Sequence, residues 1–154
     1  MIVLFFADVI GKPGRDLLIA RLPELRERFR ADAVIANGEN VTNGTGLKPS
    51  HAEALIGAGV DVITTGNHVW RQGDIYRYLG EQSRVIRPYN FLDTNPGRGV
   101  TVVDTPAGRL GVINLIGDLY LFPACSPFAV IDRALEELQG VRNIVVDLHA
   151  EATS

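Results

Sequence analysis

MIVLFFADVIGKPGRDLLIARLPELRERFRADAVIANGEN, spanning Met1–Asn40, holds one complete cycle of strand, helix and strand. Met1–Ala7 is an unbroken apolar run, the pattern of a parallel strand covered on both faces rather than one wetted at alternate residues. It stops at Asp8. Past a loop at Val9–Gly14, Leu18, Leu22, Leu25 and Phe29 recur at intervals of four, three and four. That is one stripe of a helix and predicts Arg15–Phe29. Pro23 lies inside the stripe and removes a backbone donor, which predicts a kink or a split into two helices. Ala33–Ala36 (AVIA) reads as the second strand.

The same cycle continues. Ser50–Ala58 reads as a helix and Val60–Thr65 (VDVITT) as a strand. Ser50 and Glu53 have the spacing of a capping box, in which each side chain accepts from the other's backbone N–H and sets the helix start. Units of this length require right-handed crossovers and a parallel sheet. The middle differs: Val100–Asp104 and Leu110–Leu115 flank Thr105, Pro106, Ala107 and Gly108, which predicts a hairpin. A last helix with Phe128, Ile131, Leu135 and Leu138 on one face leads to a strand at Asn143–Leu148. The fold class is α/β. No repeat, low-complexity tract or linker divides the chain.

With 154 residues and 46% hydrophobic content, one domain with a buried core is expected. A net charge of -3 with mixed signs offers no basic stripe for a nucleic-acid backbone, so no stable polymeric nucleic-acid partner is expected. No basic leader precedes the first apolar run, and no stretch approaches the ~20 apolar residues of a membrane span. A soluble, cytoplasmic protein is expected. Cys125 is the single cysteine, which excludes an internal disulfide framework and a Cys-rich zinc site.

The polar residues cluster by position. In open α/β sheets ligands bind beyond the carboxyl ends of the strands. Asp8 follows the first strand, Glu39 and Asn40 follow the second within NGEN, Asn67 and His68 follow the third within GNH, and His149 follows the last within DLHAE. Singly, each has a plain reading: a turn or capping acid, a left-handed amide, a solvated carboxylate, a core histidine. Neither capping nor turn formation predicts that all should fall just past strand ends. Carboxylate, amide oxygen and imidazole together suit iron, manganese or zinc, whereas calcium favours oxygen alone. A carboxylate bridging two ions ~3.5 to 4 Å apart creates the clamp used in phosphoryl transfer, and Glu39 is the candidate bridge. Asp8, Glu39, Asn67 and His149 should then meet in one cleft.

Other features weigh less. Arg87, Asn90 and Arg98 are weaker candidates for meeting a phosphate. Trp70 reads as a packing residue or a base-stacking one, Thr42–Gly46 (TNGTG) as a surface loop, and His51 as solvent-facing in the first turn of its helix.

FFADVIGKPGR, VIANGENVTNGTG, VITTGNHVW, RPYN, NPGRGVTVV and VDLHAEATS together resemble the YmdB family of bacterial calcineurin-like metallophosphoesterases over the whole chain. The resemblance implies an α/β/β/α sandwich. It implies hydrolysis of 2′,3′-cyclic nucleotides or related phosphodiesters at a dinuclear centre of iron or manganese, with zinc or magnesium as alternatives. It further implies Asp8, Glu39, Asn40, Asn67 and His149 as metal ligands and His68 as proton donor. The family pattern continues past HAEATS into further strands and a GTHTH segment. This sequence stops at Ser154, so the expected sandwich is incomplete at its C-terminus.

From that truncation we expect a homo-oligomer, or pairing with the absent segment, with Val100, Val102, Val112 or Val145 near the contact. The alternative to an enzyme is a non-catalytic nucleotide- or metal-binding module.

Overall fold

The computed structural model describes residues 1–152, so Thr153 and Ser154 of the last motif lie outside the described residues. The strands are β1 (Val3–Phe6), β2 (Ala33–Asn37), β3 (Val62–Thr64), β4 (Val100–Thr105), β5 (Gly108–Ile116) and β6 (Asn143–His149); the helices are α1 (Gly11–Phe29), α2 (Pro49–Gly57), α3 (Ile75–Glu81) and α4 (Ile131–Glu136). They form two three-stranded sheets, ordered β1-β2-β3 and β4-β5-β6. The first is parallel throughout, as the strand and helix cycle requires. In the second, β4 and β5 form the expected hairpin and β6 runs parallel to β5.

Side-chain alternation stacks these sheets. Val34 and Ala36 of β2 pack with Leu18 and Leu22 of α1 and with Ala52 and Leu55 of α2. Ala33 and Ile35, on the opposite face, pack with Val62, Leu110 and Val112. Beyond β5, Ile113 and Leu115 meet Val130, Ala134 and Leu138. The order is helix, sheet, sheet, helix, each strand of period two facing a different layer on alternate residues.

Several expectations change. β2 and β3 are buried along their full length, whereas β1 is an edge strand with Phe5 exposed. Helix α1 starts at Gly11 rather than Arg15 and runs unbroken through Pro23, which sits on its exposed side. There water can reach the carbonyl that proline leaves free. Phe29, expected in the apolar stripe, is exposed beneath the Arg28 guanidinium. The capping box does not form. Helix α2 begins at Pro49, a ring pre-set for the first helical position, with Lys48 before it and no side-chain cap. Glu53 instead accepts from the Tyr78 hydroxyl at 2.6 Å. At the last helix, Phe128 and Leu135 are exposed, and Val130, Ala134 and Leu138, four apart, face the sheet. A separate 3-10 turn at Pro127–Ala129 shifts the register. Finally, Val100 and Val112 are buried in this chain's own core, and Val102 and Val145 pack against it, because α4 and the first sheet already cover them.

Candidate active site

Asp8 follows β1 in the left-handed region, φ 46°, a conformation that costs a non-glycine residue energy and is held by its surroundings. The N–H of Val9 donates to Asn37 O at 3.0 Å and that of Gly11 to Asn40 O at 2.8 Å, which ties the end of β1 to the end of β2. Asp8 therefore meets Asn40, whose Nδ2 donates to Asp8 Oδ1 at 2.7 Å.

That bond orients the Asn40 amide and, through it, His68. With its nitrogen turned to Asp8, Asn40 offers Oδ1 to His68 Nδ1 at 2.7 Å. An oxygen can only accept, so His68 Nδ1 carries the proton and Nε2 is the nitrogen free to exchange one. The backbone N–H of His68 donates to Glu39 Oε2 at 3.1 Å. Glu39 Oε1 lies 3.2 Å from His149 Nε2, which is also 2.9 Å from Asn67 Oδ1. All six residues thus join one continuous network, from Asp8 through Asn40, His68, Glu39 and His149 to Asn67.

Glu39 is its buried centre, with 1% of its surface exposed. Burial pushes its carboxyl above the ordinary value; the His149 charge and the His68 backbone N–H pull it down, and Asp8 adds to the rise. A buried acid beside a second acid is a place where positive charge is favoured. The donor set is mixed. Among the described residues no group of three or more His, Cys, Asp and Glu side chains is disposed to hold a metal ion by itself, and the amide oxygens of Asn40 and Asn67 lie between the charged groups. Two carboxylates, two amide oxygens and an imidazole nitrogen are donors that suit borderline divalent cations.

A glycine makes room for this. A Cβ on Gly66 would lie 2.4 Å from Glu39 Oε2 and 2.7 Å from the His149 ring. Only hydrogen fits between the end of β3 and the side chains of Glu39 and His149. TTGNH, residues 64–68, carries that signal, since a glycine between a strand and its polar residues marks a close approach.

The weaker candidates go elsewhere. Arg87 is buried and gives its guanidinium to main-chain oxygens, Pro88 O at 2.8 Å among them. With Arg98 it lines a cavity of about 320 Å³ that contains none of the six network residues. Asn90 is fully buried and bonds the main chain of Ile116 and Cys125. His51 is half-buried, with Nδ1 2.8 Å from the Thr42 hydroxyl, because the TNGTG turn folds back on it. Trp70 packs on Tyr76 and Phe91, with ring centroids 5.0 and 6.1 Å away, and also lines a cavity beside Asn67.

The profile of the YmdB-like protein family matches residues 4–154. This chain belongs to that family. It is 39% identical over 155 residues to the 2′,3′-cyclic-nucleotide 2′-phosphodiesterase of Bacillus subtilis strain 168, a match covering 100% of this chain and 59% of that protein. The solved structure of a hypothetical protein from Thermus thermophilus superposes with a TM-score of 0.90 at 38% identity, covering 99% of this chain and 59% of that one. A novel phosphatase from Mycoplasma pneumoniae superposes with a TM-score of 0.83 at 33% identity, covering 97% and 55%. The chain thus spans under two thirds of the length of these relatives, and the names of two of them describe phosphoester chemistry.

Proposed function

We propose that this chain carries the larger part of the active site of a calcineurin-like metallophosphoesterase. Its reaction is hydrolysis of 2′,3′-cyclic nucleotides or related phosphodiesters, with two divalent ions, iron or manganese ahead of zinc or magnesium. The observation that carries the reading is the single network joining Asp8, Asn40, His68, Glu39, His149 and Asn67.

Asp8, Glu39, Asn40, Asn67 and His149 would hold the metal. Glu39 suits a bridging role because its two oxygens serve different neighbours, Oε1 toward His149 and Oε2 toward the His68 backbone. Bound divalent ions supply polarisation of the phosphoryl oxygens and a water that is nucleophilic at neutral pH. The chain's own residues do the rest. Asn40 fixes the His68 tautomer, and His68 Nε2 delivers a proton to the departing ribose oxygen. Asn67 Oδ1 and His149 Nε2 come within 2.9 Å of each other across the two sheets, and both atoms would turn to the ion, because Nε2 cannot donate a hydrogen bond and ligate at once.

The test is incubation with 2′,3′-cyclic AMP and Mn²⁺ or Fe²⁺, followed by chromatography. The expected result is a nucleoside monophosphate whose formation stops with EDTA. Binding of nucleotide or metal with no turnover under any of these ions would instead establish the non-catalytic module.

A further inference from the structure

Between β5 and the turn at Pro127–Ala129 the chain crosses residues 117–126, GDLYLFPACS. Asn90 pins both ends of this loop. Its Nδ2 donates to Ile116 O at 2.7 Å and Cys125 O at 2.9 Å; its Oδ1 accepts from Ile116 N, and its carbonyl accepts from Ala124 N, both at 2.9 Å. A fully buried amide spends its side-chain donors and acceptor, and its own carbonyl, on a loop whose crest stands in water. Leu121 alone turns inward. Tyr120 is 77% exposed and Phe122 95% exposed, and Tyr120 adopts a left-handed φ of 65°. Two aromatic rings held outward by a buried clamp, one on a strained residue, are an arrangement that folding alone does not favour.

Trp70 and Phe91, 6.1 Å apart and inclined at 45°, line the same cavity as these two rings. That cavity is about 600 Å³, within the range of small-ligand sites. Asn67 forms part of its wall, and Asn67 is bonded to His149 in the network described above. Arg71 and Asn95 provide polar groups on the lining. A slot with aromatic walls and a few hydrogen-bonding groups, opening off a phosphate-compatible cluster, matches a flat heteroaromatic ring joined to a phosphodiester.

We propose that this slot, lined by Trp70, Phe91, Tyr120 and Phe122, is a nucleobase subsite. It grips the base of a nucleotide whose phosphate lies at the Asp8 to His149 network. This rests on the phosphodiesterase reading for the position of the phosphate, but the base contact stands on the slot alone. Stacking accepts every base, so purines and pyrimidines should all bind, with purines ahead by ring area.

Trp70 is the one tryptophan in these 154 residues, so its fluorescence reports the slot. Titration with adenosine, which has no phosphate, should quench it saturably and identically in EDTA. Tyr120→Ala and Phe122→Ala alter exposed rings and leave the core intact, a point checked by circular dichroism. Each should weaken adenosine by about tenfold, the scale of one lost stacking contact. Absence of saturable quenching, or quenching unchanged in both variants, overturns the subsite. With 2′,3′-cyclic AMP as substrate, Phe122→Ala should raise KM about tenfold. Hydrolysis with wild-type KM in that variant overturns the subsite and leaves the phosphodiesterase reading standing. Adenosine binding that depends on Phe122, with no hydrolysis under any metal, supports the subsite and removes the reaction.

Discussion

The two sheets contribute unequally to the site they share. The first sends Asp8, Glu39, Asn40, Asn67 and His68 from the ends of three parallel strands, within a single stretch of chain that includes both crossover helices. The second sends only His149, together with a loop rich in exposed aromatic rings. Polar chemistry is therefore gathered locally on one sheet, whereas the second closes the cluster and offers apolar surface beside it. The join is narrow: Asn67 to His149, Glu39 to His149, and Gly66 between them.

The most damaging change should be at that join. Gly66→Ala inserts a methyl group where 2.4 Å separates it from Glu39 Oε2, so the loop or His149 must move. A displacement of about 1 Å typically costs ~10²-fold in rate. Turnover of a cyclic nucleotide should fall by at least that factor, with a matching loss of Mn²⁺ affinity by calorimetry. Wild-type values for both would show that the sheets need not touch here.

Next comes a change confined to the first sheet. His68→Ala should lower kcat by roughly 10² to 10⁴-fold, the usual contribution of a general acid, while metal content stays near normal. Loss of metal along with activity would make His68 a ligand.

The scaffold of the first sheet offers a smaller effect of opposite sign. Pro23 lies exposed within α1, where proline is ~3 kcal/mol worse than alanine in a helix interior. Proline also restrains the unfolded chain, which offsets part of that difference. Pro23→Ala should therefore raise unfolding stability by about 1 to 2 kcal/mol in urea, with no change in metal affinity. A decrease would mean that the proline shapes α1 usefully.

The least effect should come from His51, in the first turn of α2. Burial, with Arg15 and Lys48 nearby, lowers its pKa below the ordinary 6.5. The folded state then binds the proton less tightly than the unfolded chain does. Its contribution to stability is complete above 6.5 and is lost as pH falls from there through the lower folded value. His51→Gln should flatten the decline in Tm between neutral and mildly acidic pH. An unchanged slope would assign the decline to other groups.

The contrast between the sheets also explains what was legible. Strand ends in the first sheet follow apolar runs directly, so Asp8, Glu39 and Asn67 can be placed from local pattern. His149 can be placed at a strand end too, but its contact with Asn67 spans 82 residues and only folding reveals it. The role of Gly66 stays hidden in the sequence because a glycine shows its purpose only when its neighbours are known. Asn90 illustrates a further limit: an amide that grips a phosphate and one that pins a buried loop have the same donors and acceptors. The register of the last helix misleads because Phe128 and Leu135 look apolar, yet Phe128 falls in the separate 3-10 turn and Leu135 on the exposed side of α4.

If the proposed function is right, donors from both sheets hold the metal together. Titration of metal-stripped protein with Mn²⁺, followed by electron paramagnetic resonance, tests it in three forms: wild type, Asp8→Asn and His149→Ala. Saturable binding is expected in the wild type, with a loss of affinity of at least tenfold in each variant, since one loses the Asp8 carboxylate charge on the first sheet and the other the His149 imidazole on the second. Wild-type affinity in His149→Ala would show that the second sheet takes no part, and absence of saturable binding in the wild type would contradict the metal site itself.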